Sequence, residues 1–308
     1  MPCYNAGRWV VSAVESVLAQ TRRDLELLVV DDASGDDSVA RLEAFRREPR
    51  FRLLRNERNI GQSASANRGW ALARGEYIKF FDADDLMSSD FLESQLNRLA
   101  GRDDAVASAA WGRFHGDDLS TFRPNPEAVW RDMESTDWLV ESWITGRCMM
   151  QCGLWLIPRR IVERVGGWNE RLSLINDFEF FARILCAARE VLFCPDAVLR
   201  YRSGVTGSLS GRKSRAAYDS MVDSILLGTG HLLAKRSDVR ARRSAANVCQ
   251  SGIYEIYPGH PDLVEQLHAR VGELGGADLP VSGGRGFQIL RRVVGWKAAR
   301  RLMSLAGR

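Results

Sequence analysis

Residues 77–85 read YIKFFDADD, an apolar stretch that ends directly in three aspartates, Asp82, Asp84 and Asp85. A short apolar run rich in aromatic and β-branched residues is typical of a strand that is buried on both faces. A second run of this kind, LELLVV at 25–30, ends at Asp31 and Asp32. Ligands of parallel sheets gather at the carboxyl ends of the strands. The two acidic clusters are therefore expected at one edge of a sheet.

Between and after these strands, apolar residues recur at the spacing of amphipathic helices. The alternation predicts an α/β fold with a mostly parallel sheet flanked by helices, followed by a helical C-terminal region that begins near residue 212. The predicted strands are 25–30, 51–54, 77–81, 105–111 and 153–157, and the predicted helices are 7–20, one capped by Asp36 or Asp37, 63–73, 88–99, 159–165 and 177–189.

The acidic clusters have two interpretations each. Crowded carboxylates at 82–85 attract a hard cation such as Mg²⁺ or Mn²⁺, which keeps coordination positions for phosphate oxygens. The alternative is a solvated turn with a helix cap. Asp32 can only accept hydrogen bonds, so it can recognise a base that presents a ring N–H; the alternative is a cap for the helix that starts near Asp36.

Composition narrows the class of protein. The chain has 308 residues with 45% hydrophobic and 27% charged residues, no apolar run of membrane-spanning length and no secretory signal, so it is expected to be cytosolic. The six cysteines lack the paired spacing of zinc sites, and a net charge of +4 gives no reason to expect a nucleic-acid partner. Dinucleotide-binding, P-loop and Gly-x-Ser-x-Gly motifs are absent, which argues against those classes.

Taken together and in order, several segments resemble the family 2 glycosyltransferases of GT-A fold, over roughly residues 2–210. Each segment is weak alone, whereas their joint order and spacing are specific. The matching segments are PCYNAG at 2–7, SVLAQT at 16–21, VDDAS at 30–34, NIG at 59–61, NRG at 67–69, GEYI at 75–78, DADD at 82–85, GGWNE at 166–170, NDFEF at 176–180, and YR at 201–202 with SLS at 208–210.

The resemblance implies an inverting transfer of a sugar from a nucleotide-diphosphate donor, with Mn²⁺ or Mg²⁺ as cofactor. Tyr4 would stack on the base and Asp32 would accept its ring N–H, which suits a UDP-sugar. Asp84 and Asp85 would lie nearest the metal, and Asp177 would be the catalytic base; an N-cap of its helix is the alternative role. The implied donor-binding set is Pro2, Tyr4, Asn5, Asp32, Asn59, Gly61, Asn67, Asp82 and Asp84.

Four positions depart from the family's pattern. Asn176 stands where the family has Glu, and Ala66 stands where an Arg often precedes the loop Asn. The closing stretch YRSGVTGSLS at 201–210 has no His that would help to bind metal. The family also begins with a buried strand before P-x-Y-N, so we expect an upstream apolar strand of about five or six residues in the native product.

We expect a GT-A domain over 1–210, with a nucleotide half at 1–110 and an acceptor half at 111–210, and a helical region over 211–308. The acceptor would be a hydroxyl of a glycan or a lipid-linked molecule. Residues 283–308 carry seven basic and no acidic residues, which suits either docking on an anionic membrane or a packed helix with a solvated basic side. A catalytically silent membrane-associated scaffold and a nucleotidyltransferase are the alternative functions.

Overall fold

The computed structural model describes residues 1–147, 150–204, 211 and 213–305. Its strands are β1 (Pro2–Cys3), β2 (Leu27–Asp31), β3 (Phe51–Arg55), β4 (Tyr77–Ile78), β5 (Leu86–Met87), β6 (Ala105–His115), β7 (Asp118–Pro124), β8 (Met133–Glu134), β9 (Ile157–Pro158) and β10 (Glu190–Ser203). Its α-helices are α1 (Val10–Leu18), α2 (Ser38–Leu42), α3 (Gln62–Leu72), α4 (Phe91–Leu99), α5 (Ser135–Trp143), α6 (Arg159–Val165), α7 (Asn176–Ala187), α8 (Arg215–Lys235), α9 (Val239–Ile256), α10 (Pro261–Glu273) and α11 (Arg285–Leu305).

The first sheet is parallel and has the order β1-β2-β3. All five residues of β2 are buried, as expected for a strand covered on both faces. The Met1 amino group donates to the Leu28 carbonyl at 2.9 Å, and Val30 N–H donates to the Met1 carbonyl at 2.9 Å. Hydrogen bonding to β2 therefore continues one residue beyond β1. Among the described residues, no strand pairs with the other side of β1, so β1 is an edge strand of this sheet.

The second sheet is mixed, with the order β5-β10-β6-β7 and β8 beside β10. β10 runs parallel to β6 and antiparallel to β5 and β8. The register of β10 on β6 shifts between Cys194 and Val198, a segment that contains Pro195. Proline has no N–H to donate, so an irregularity there is physically reasonable. The long pairing of β10 with β6 carries Arg202 to the same edge as Asp85.

The α/β class with a sheet flanked by helices and a helical C-terminal region is confirmed, and several element assignments are corrected. The strand predicted at 77–81 is reduced to β4, which pairs with β9. The strand predicted at 153–157 is a 3₁₀ turn at Cys152–Leu154 followed by β9. Lys79 accounts for part of both changes. Its ammonium group donates to the Gly153 carbonyl at 2.7 Å, so this carbonyl is not available for pairing in a regular strand. Burial lowers the pKa of Lys79 to about 7.

An aromatic cluster joins the sheet to α7. Trp168 stacks on Phe180 with ring centroids 4.3 Å apart, and Phe80 meets both rings edge to face. Phe178, two residues earlier in α7, packs against Trp143 of α5. These contacts fix the direction of α7 and therefore the position of its N-terminus, where Asp177 lies.

Of the helices after the sheet, α8 packs against α7, α9 packs against α8 and α5, and α10 packs against α9 and α8. Gly228 of α8 lies so close to Phe178 that a Cβ at Gly228 would stand 2.6 Å from the Phe178 ring. Near the C-terminus, α11 buries Phe287 and Ala299 in a small apolar cluster with Val281. The helix is kinked at Gly295, whose φ is 78°. In the part of the chain that is described, no helix is long and apolar enough to span a bilayer.

Gly228→Ala should lower the free energy of unfolding by about 1–3 kcal/mol, because the added methyl forces α8 away from α7. Urea denaturation of the two variants Gly228→Ala and Gly230→Ala measures this. Gly230 is in the same helix, and nothing lies within 4 Å of the Cβ it would gain. Gly230→Ala should therefore be neutral or stabilise by up to about 1 kcal/mol through helix propensity. Equal effects of the two substitutions would contradict the packing argument.

Candidate functional site

Asp32 anchors the loop that precedes α3. One carboxylate oxygen accepts hydrogen bonds from the Asn56 amide at 2.7 Å and from Ile60 N–H at 2.8 Å; the other accepts from Gly61 N–H at 2.9 Å. Gly61 has a φ of 92°, which favours glycine, and it is the residue immediately before α3. The buried Asp32 carboxylate therefore shapes the loop at 56–61. The alternative role as a cap near Asp36 is not the one seen, because Asp36 itself accepts from Ser38 N–H.

The turn after β1 is held by the segment after β2. Asn5 has a φ of 49°, its N–H donates to Ser34 Oγ at 2.9 Å, and its side-chain oxygen accepts from Gly35 N–H at 2.8 Å. Tyr4, beside it, is 48% exposed. A shallow depression lined by Ala33, Ser34, Arg55, Asn56 and Glu57 lies along this edge of the first sheet. A planar group can reach the exposed Tyr4 ring from solvent.

The acidic stretch after β4 is held by two different partners. Gln62 of α3 donates to Asp82 Oδ1 at 3.0 Å, and Arg202 N–H of β10 donates to Asp85 Oδ1 at 2.8 Å. The Arg202 guanidinium donates to the Asp84 carbonyl at 2.6 Å and lies over the rings of Trp9 and Phe114, 4.4 and 4.5 Å from their centroids. Arg202 thus fixes the backbone of the stretch: its guanidinium bonds the Asp84 carbonyl oxygen and not the Asp84 carboxylate, and it pairs with Asp117 at 3.2 Å.

Burial makes these carboxylates difficult to ionise. Desolvation raises the pKa of Asp84 to about 7, with repulsion from Asp82 as the second cause. The pKa of Asp85 is raised well above its ordinary range by desolvation and then by Asp84 and Asp82. Desolvation also raises the pKa of Asp82, although hydrogen bonds with Cys152 and Gln62 oppose it. A positive charge placed among these groups would be stabilised.

Asp177 lies across from Asp82 at the start of α7. Its pKa is raised to about 7, first by desolvation and then by the charge of Asp82, while backbone hydrogen bonds from Phe178 and Met150 oppose the rise. Phe178 N–H donates to Asp177 Oδ1 at 2.9 Å, so Asp177 also serves the helix terminus. The thiol of buried Cys152 interacts with both Asp82 and Asp177. The two carboxylates therefore lie close enough to interact, and both are partly exposed; we call the surface between them the cleft.

Asn176 connects the start of α7 to Asp82 by way of Gln62. Its amide donates to Ser63 Oγ at 2.9 Å and to Gln62 Oε1 at 3.5 Å, and Gln62 in turn holds Asp82. Its own oxygen accepts from Asp177 N–H at 3.1 Å. A neutral amide at this position gives a continuous hydrogen-bonded path from Asp82 to the start of α7, without adding a charge to an already acidic cleft.

The chemistry of these carboxylates suits a hard cation, but too few of them converge to hold it alone. All the donors at Asp82, Asp84 and Asp85 are oxygens, and their raised pKa values favour a cation. Within the described residues, however, no group of three or more His, Cys, Asp or Glu side chains converges as a metal site. Mg²⁺ is commonly bound through one or two carboxylates plus substrate phosphates. One or two of these carboxylates therefore suit a cation that takes its remaining ligands from phosphate oxygens or water.

Other predicted site residues lie at different depths. Asn59 is exposed at the loop tip, and Pro2 is in β1 below Tyr4. Asn67 is fully engaged elsewhere: its amide donates to the Trp168 carbonyl at 2.9 Å and to Glu170 at 2.8 Å, and its oxygen accepts from Trp168 N–H at 2.7 Å. Its role as a donor ligand stays a prediction. The SLS segment at 208–210 lies outside the described residues.

Three side chains that shape the cleft were not predicted from the sequence. Gln62 and Cys152 bond Asp82, and the Arg202 guanidinium bonds the Asp84 carbonyl. Gln62 directly follows the NIG segment, which is a signal that could have identified it. Cys152 carries no such signal, because only the fold brings it to Asp82.

With this geometry established, comparison with known proteins identifies the class. The family model for glycosyl transferase family 2 matches residues 1–166, more than half of the chain, and the protein belongs to this family. The glycosyltransferase GlyG of Streptococcus pneumoniae is 33% identical over 121 residues, which are 39% of this chain and 39% of that protein. The chondroitin synthase of Escherichia coli is 38% identical over 100 residues, covering 32% of this chain and 14% of that protein. The matched region thus spans well under two thirds of these relatives.

Solved structures extend the likeness to most of the fold. Staphylococcus aureus TarS 1–349 in complex with UDP-GlcNAc aligns over 89% of this chain and 78% of that chain, with a TM-score of 0.68 and 16% sequence identity. The same protein in complex with UDP aligns over 88% of this chain and 86% of that chain, with a TM-score of 0.58. At this identity the likeness concerns the fold, and it confirms the GT-A type.

Asp84→Asn should raise the free energy of unfolding at pH 8 by about 1–4 kcal/mol, because a carboxyl with a raised pKa costs about 1.4 kcal/mol per pKa unit to ionise in the folded protein. The pKa of Asp84 is about 7 in the folded protein and 3.8 ordinarily, so the folded state holds the extra proton between these values and stability falls as pH rises through them. The gain should therefore shrink towards pH 4. Urea denaturation at both pH values measures it.

Asp118→Asn is the control for that measurement, because Asp118 is exposed and its pKa is lowered by the Ser120 hydrogen bonds. It should show no gain at pH 8. A gain for Asp118→Asn equal to that of Asp84→Asn would mean that general charge reduction, and not carboxylate crowding, is responsible.

Proposed function

We propose that this chain transfers a sugar from a nucleotide-diphosphate donor to a hydroxyl group of an acceptor, with inversion at the anomeric carbon. The observation that carries the proposal is the meeting of Asp82 and Asp177 in one cleft, with the pKa of Asp177 raised to about 7. A general base is most effective when its pKa lies near the working pH. Family membership supports glycosyl transfer as the reaction class.

For the donor we propose a UDP-sugar. Asp32 Oδ2 accepts one hydrogen bond, from Gly61 N–H, and a carboxylate oxygen can accept a second from the ring N–H of uracil. Exposed Tyr4 offers a face for stacking on the base. The bound UDP-GlcNAc of TarS, a protein with this fold, supports the same choice. Asn5, Asn59 and Gly61 belong to the two loops that would border the nucleotide, and Pro2 lies in β1, just before the first of these loops.

In the proposed reaction, Asp177 accepts the proton of the acceptor hydroxyl while that oxygen forms a bond to the anomeric carbon. The bond between this carbon and the diphosphate oxygen breaks at the same time, and the diphosphate leaves with the electron pair. Asn176 and the Phe178 N–H orient Asp177. A Mn²⁺ or Mg²⁺ ion held by Asp84, with Asp85 beside it, would supply charge neutralisation on the diphosphate.

We also propose a division of labour along the chain. Residues 1–110 would bind the donor, 111–210 would bind a glycan or lipid-linked acceptor, and the helices of 211–308 would support that half. A cytoplasmic enzyme that docks peripherally on the inner face of the plasma membrane would meet a lipid-linked acceptor.

The surface of α11 supports that docking. Its packed face holds Phe287 and Ala299, whereas Ile289, Val293 and Leu305 are 67%, 79% and 86% exposed. Exposed basic residues, Arg292, Lys297 and Arg301, lie along the same helix, and 279–308 contains no acidic residue. Apolar side chains beside cations are the composition that binds an anionic lipid surface.

Release of nucleoside diphosphate from a panel of nucleotide sugars, each with Mn²⁺ and a mixture of glycan and lipid-linked acceptors, tests the activity. In the responsive reaction, Asp177→Asn should slow transfer by roughly 10²–10⁴-fold and leave donor affinity unchanged, because only proton acceptance is lost. The rate of the unsubstituted protein should rise with pH up to about 7, as Asp177 loses its proton. An active Asp177→Asn enzyme would refute the role of Asp177.

Metal dependence is read from the same assay after treatment with EDTA. Mn²⁺ should strengthen UDP binding in the unsubstituted protein and leave it unchanged in Asp84→Asn. The cation would be held by the Asp84 carboxylate together with the diphosphate oxygens, and the substitution removes the first of these ligands. Activity that survives EDTA unchanged would refute the metal requirement.

Cosedimentation with phosphatidylserine-containing and neutral phosphatidylcholine vesicles tests the docking of α11. Arg292→Gln with Arg301→Gln should weaken binding to the anionic vesicles roughly 30-fold, at about 1 kcal/mol for each basic residue near the surface. Arg47→Gln with Arg240→Gln removes the same charge from exposed positions elsewhere and should change little. Equal losses for the two pairs, or no preference for anionic vesicles, would contradict the proposal.

A further inference from the structure

The chain enters α7 through a residue in an unfavourable conformation. Ile175, two residues before Asp177, has φ 49° and ψ 34°, which is the left-handed region. A β-branched side chain is a true outlier there, since its Cβ crowds the following carbonyl. Such conformations persist where the surroundings over-determine them, and they cluster at functional sites. Something outside the turn must therefore hold Ile175.

Helix α8 supplies that hold through two serine hydroxyls. Ser220 Oγ accepts hydrogen bonds from Ser173 N–H at 2.7 Å and from Leu174 N–H at 3.1 Å. One turn along the helix, Ser224 Oγ donates to the Ile175 carbonyl at 2.7 Å. Both serines are buried. Three consecutive residues, 173–175, are thus bonded to one helix of the C-terminal region.

The direction of these bonds distinguishes them from ordinary helix chemistry. A buried hydroxyl on a helix commonly bonds a carbonyl of its own preceding turn. Thr229 of α8 does this, donating to the Ile225 carbonyl at 2.7 Å. Ser220 and Ser224 instead reach across to the turn before α7. The Ile175 carbonyl also accepts from Phe178 N–H at 3.0 Å, so the bond from Ser224 acts on the first turn of α7 directly.

We propose that Ser220 and Ser224 are positioning residues for the transfer reaction: they hold the strained turn at 173–175 and so set where the Asp177 carboxylate lies in the cleft. The inference rests on the proposed function of Asp177 as base. It makes α8, and with it the helical C-terminal region, part of the reaction site without contact to substrate. Donor binding, which uses other loops, is independent of it.

The test compares Ser224→Ala, the double variant Ser220→Ala/Ser224→Ala and the control Thr229→Ala in steady-state transfer by the full chain. The serine variants should lower kcat about 10-fold for the single and up to roughly 100-fold for the double substitution, the effect of a base misplaced by about 1 Å. KM for the donor should not change. Thr229→Ala, which removes a buried hydroxyl from the same helix, should keep kcat within about twofold of the unsubstituted protein, a small change on the scale of catalytic misplacement.

A rescue experiment separates positioning from general destabilisation. Ile175→Gly added to the double variant should recover most of the lost kcat, because glycine adopts this conformation without strain. It therefore does not need the hydrogen bonds from Ser220 and Ser224, which we call the clamp. Ser224→Thr, which keeps the hydroxyl, should lose less than Ser224→Ala. A kcat that is unchanged in the serine variants, or one that falls together with that of Thr229→Ala and is not rescued by glycine, overturns the proposal.

Asp177→Asn is measured in parallel so that the two ideas can fail separately. If Asp177→Asn is inactive and the serine variants are normal, the clamp is wrong and the base assignment stands. If Asp177→Asn is fully active, the assignment of the base fails, and the clamp loses its function with it.

Discussion

The crowding of buried carboxylates at one edge of the sheets is the constraint on which the site depends. Asp82, Asp84, Asp85 and Asp177 approach one another where desolvation already penalises their charge. The fold tolerates this by giving each group hydrogen bonds from fixed donors, such as Gln62 to Asp82 and the Arg202 N–H to Asp85. The cleft is therefore short of positive charge, which a bound cation would provide. Ionising these carboxylates lowers the stability of the folded protein at the place where we propose that the donor binds.

Much of the fold follows from local patterns in the sequence. The run LLVV at 27–30 is a buried strand because every side chain in it is apolar. Helix α6 begins and ends where the periodicity predicted, at Arg159–Val165. The long strand β10 was missed because charged residues and Pro195 interrupt its pattern, and its pairing with β6 is a long-range contact that no local signal reports. The prediction of a strand at 153–157 was wrong for a similar reason. Lys79 is distant in sequence, and its ammonium group bonds the carbonyls of Gly153 and Trp155, which lie in and just after a 3₁₀ turn.

The candidate site shows the same division. Motif order assigned Asp32, Asp84 and Asp177 to the site on resemblance. In the fold, the loop that Asp32 holds leads directly into Gln62, which bonds Asp82. What the sequence could not provide is the partner of each group: Asp32 with the loop at 56–61, Cys152 with Asp82, and α8 with the turn at 173–175. These pairings join segments more than 25 residues apart and depend on tertiary packing. Their residue types, Ser, Cys and Gln, are common in ordinary cores.

Asn67 has a mechanical consequence for the cleft. Its side chain joins α3 to the backbone of Trp168 and to Glu170 by three hydrogen bonds, and a Cβ at Gly167 would stand 2.3 Å from its oxygen. The segment that leads to α7 is therefore joined to α3, the helix that follows the loop at 56–61. Separating the two at this point requires that all three bonds break together. Helix α3 and residues 168–170 should therefore move as one rigid body.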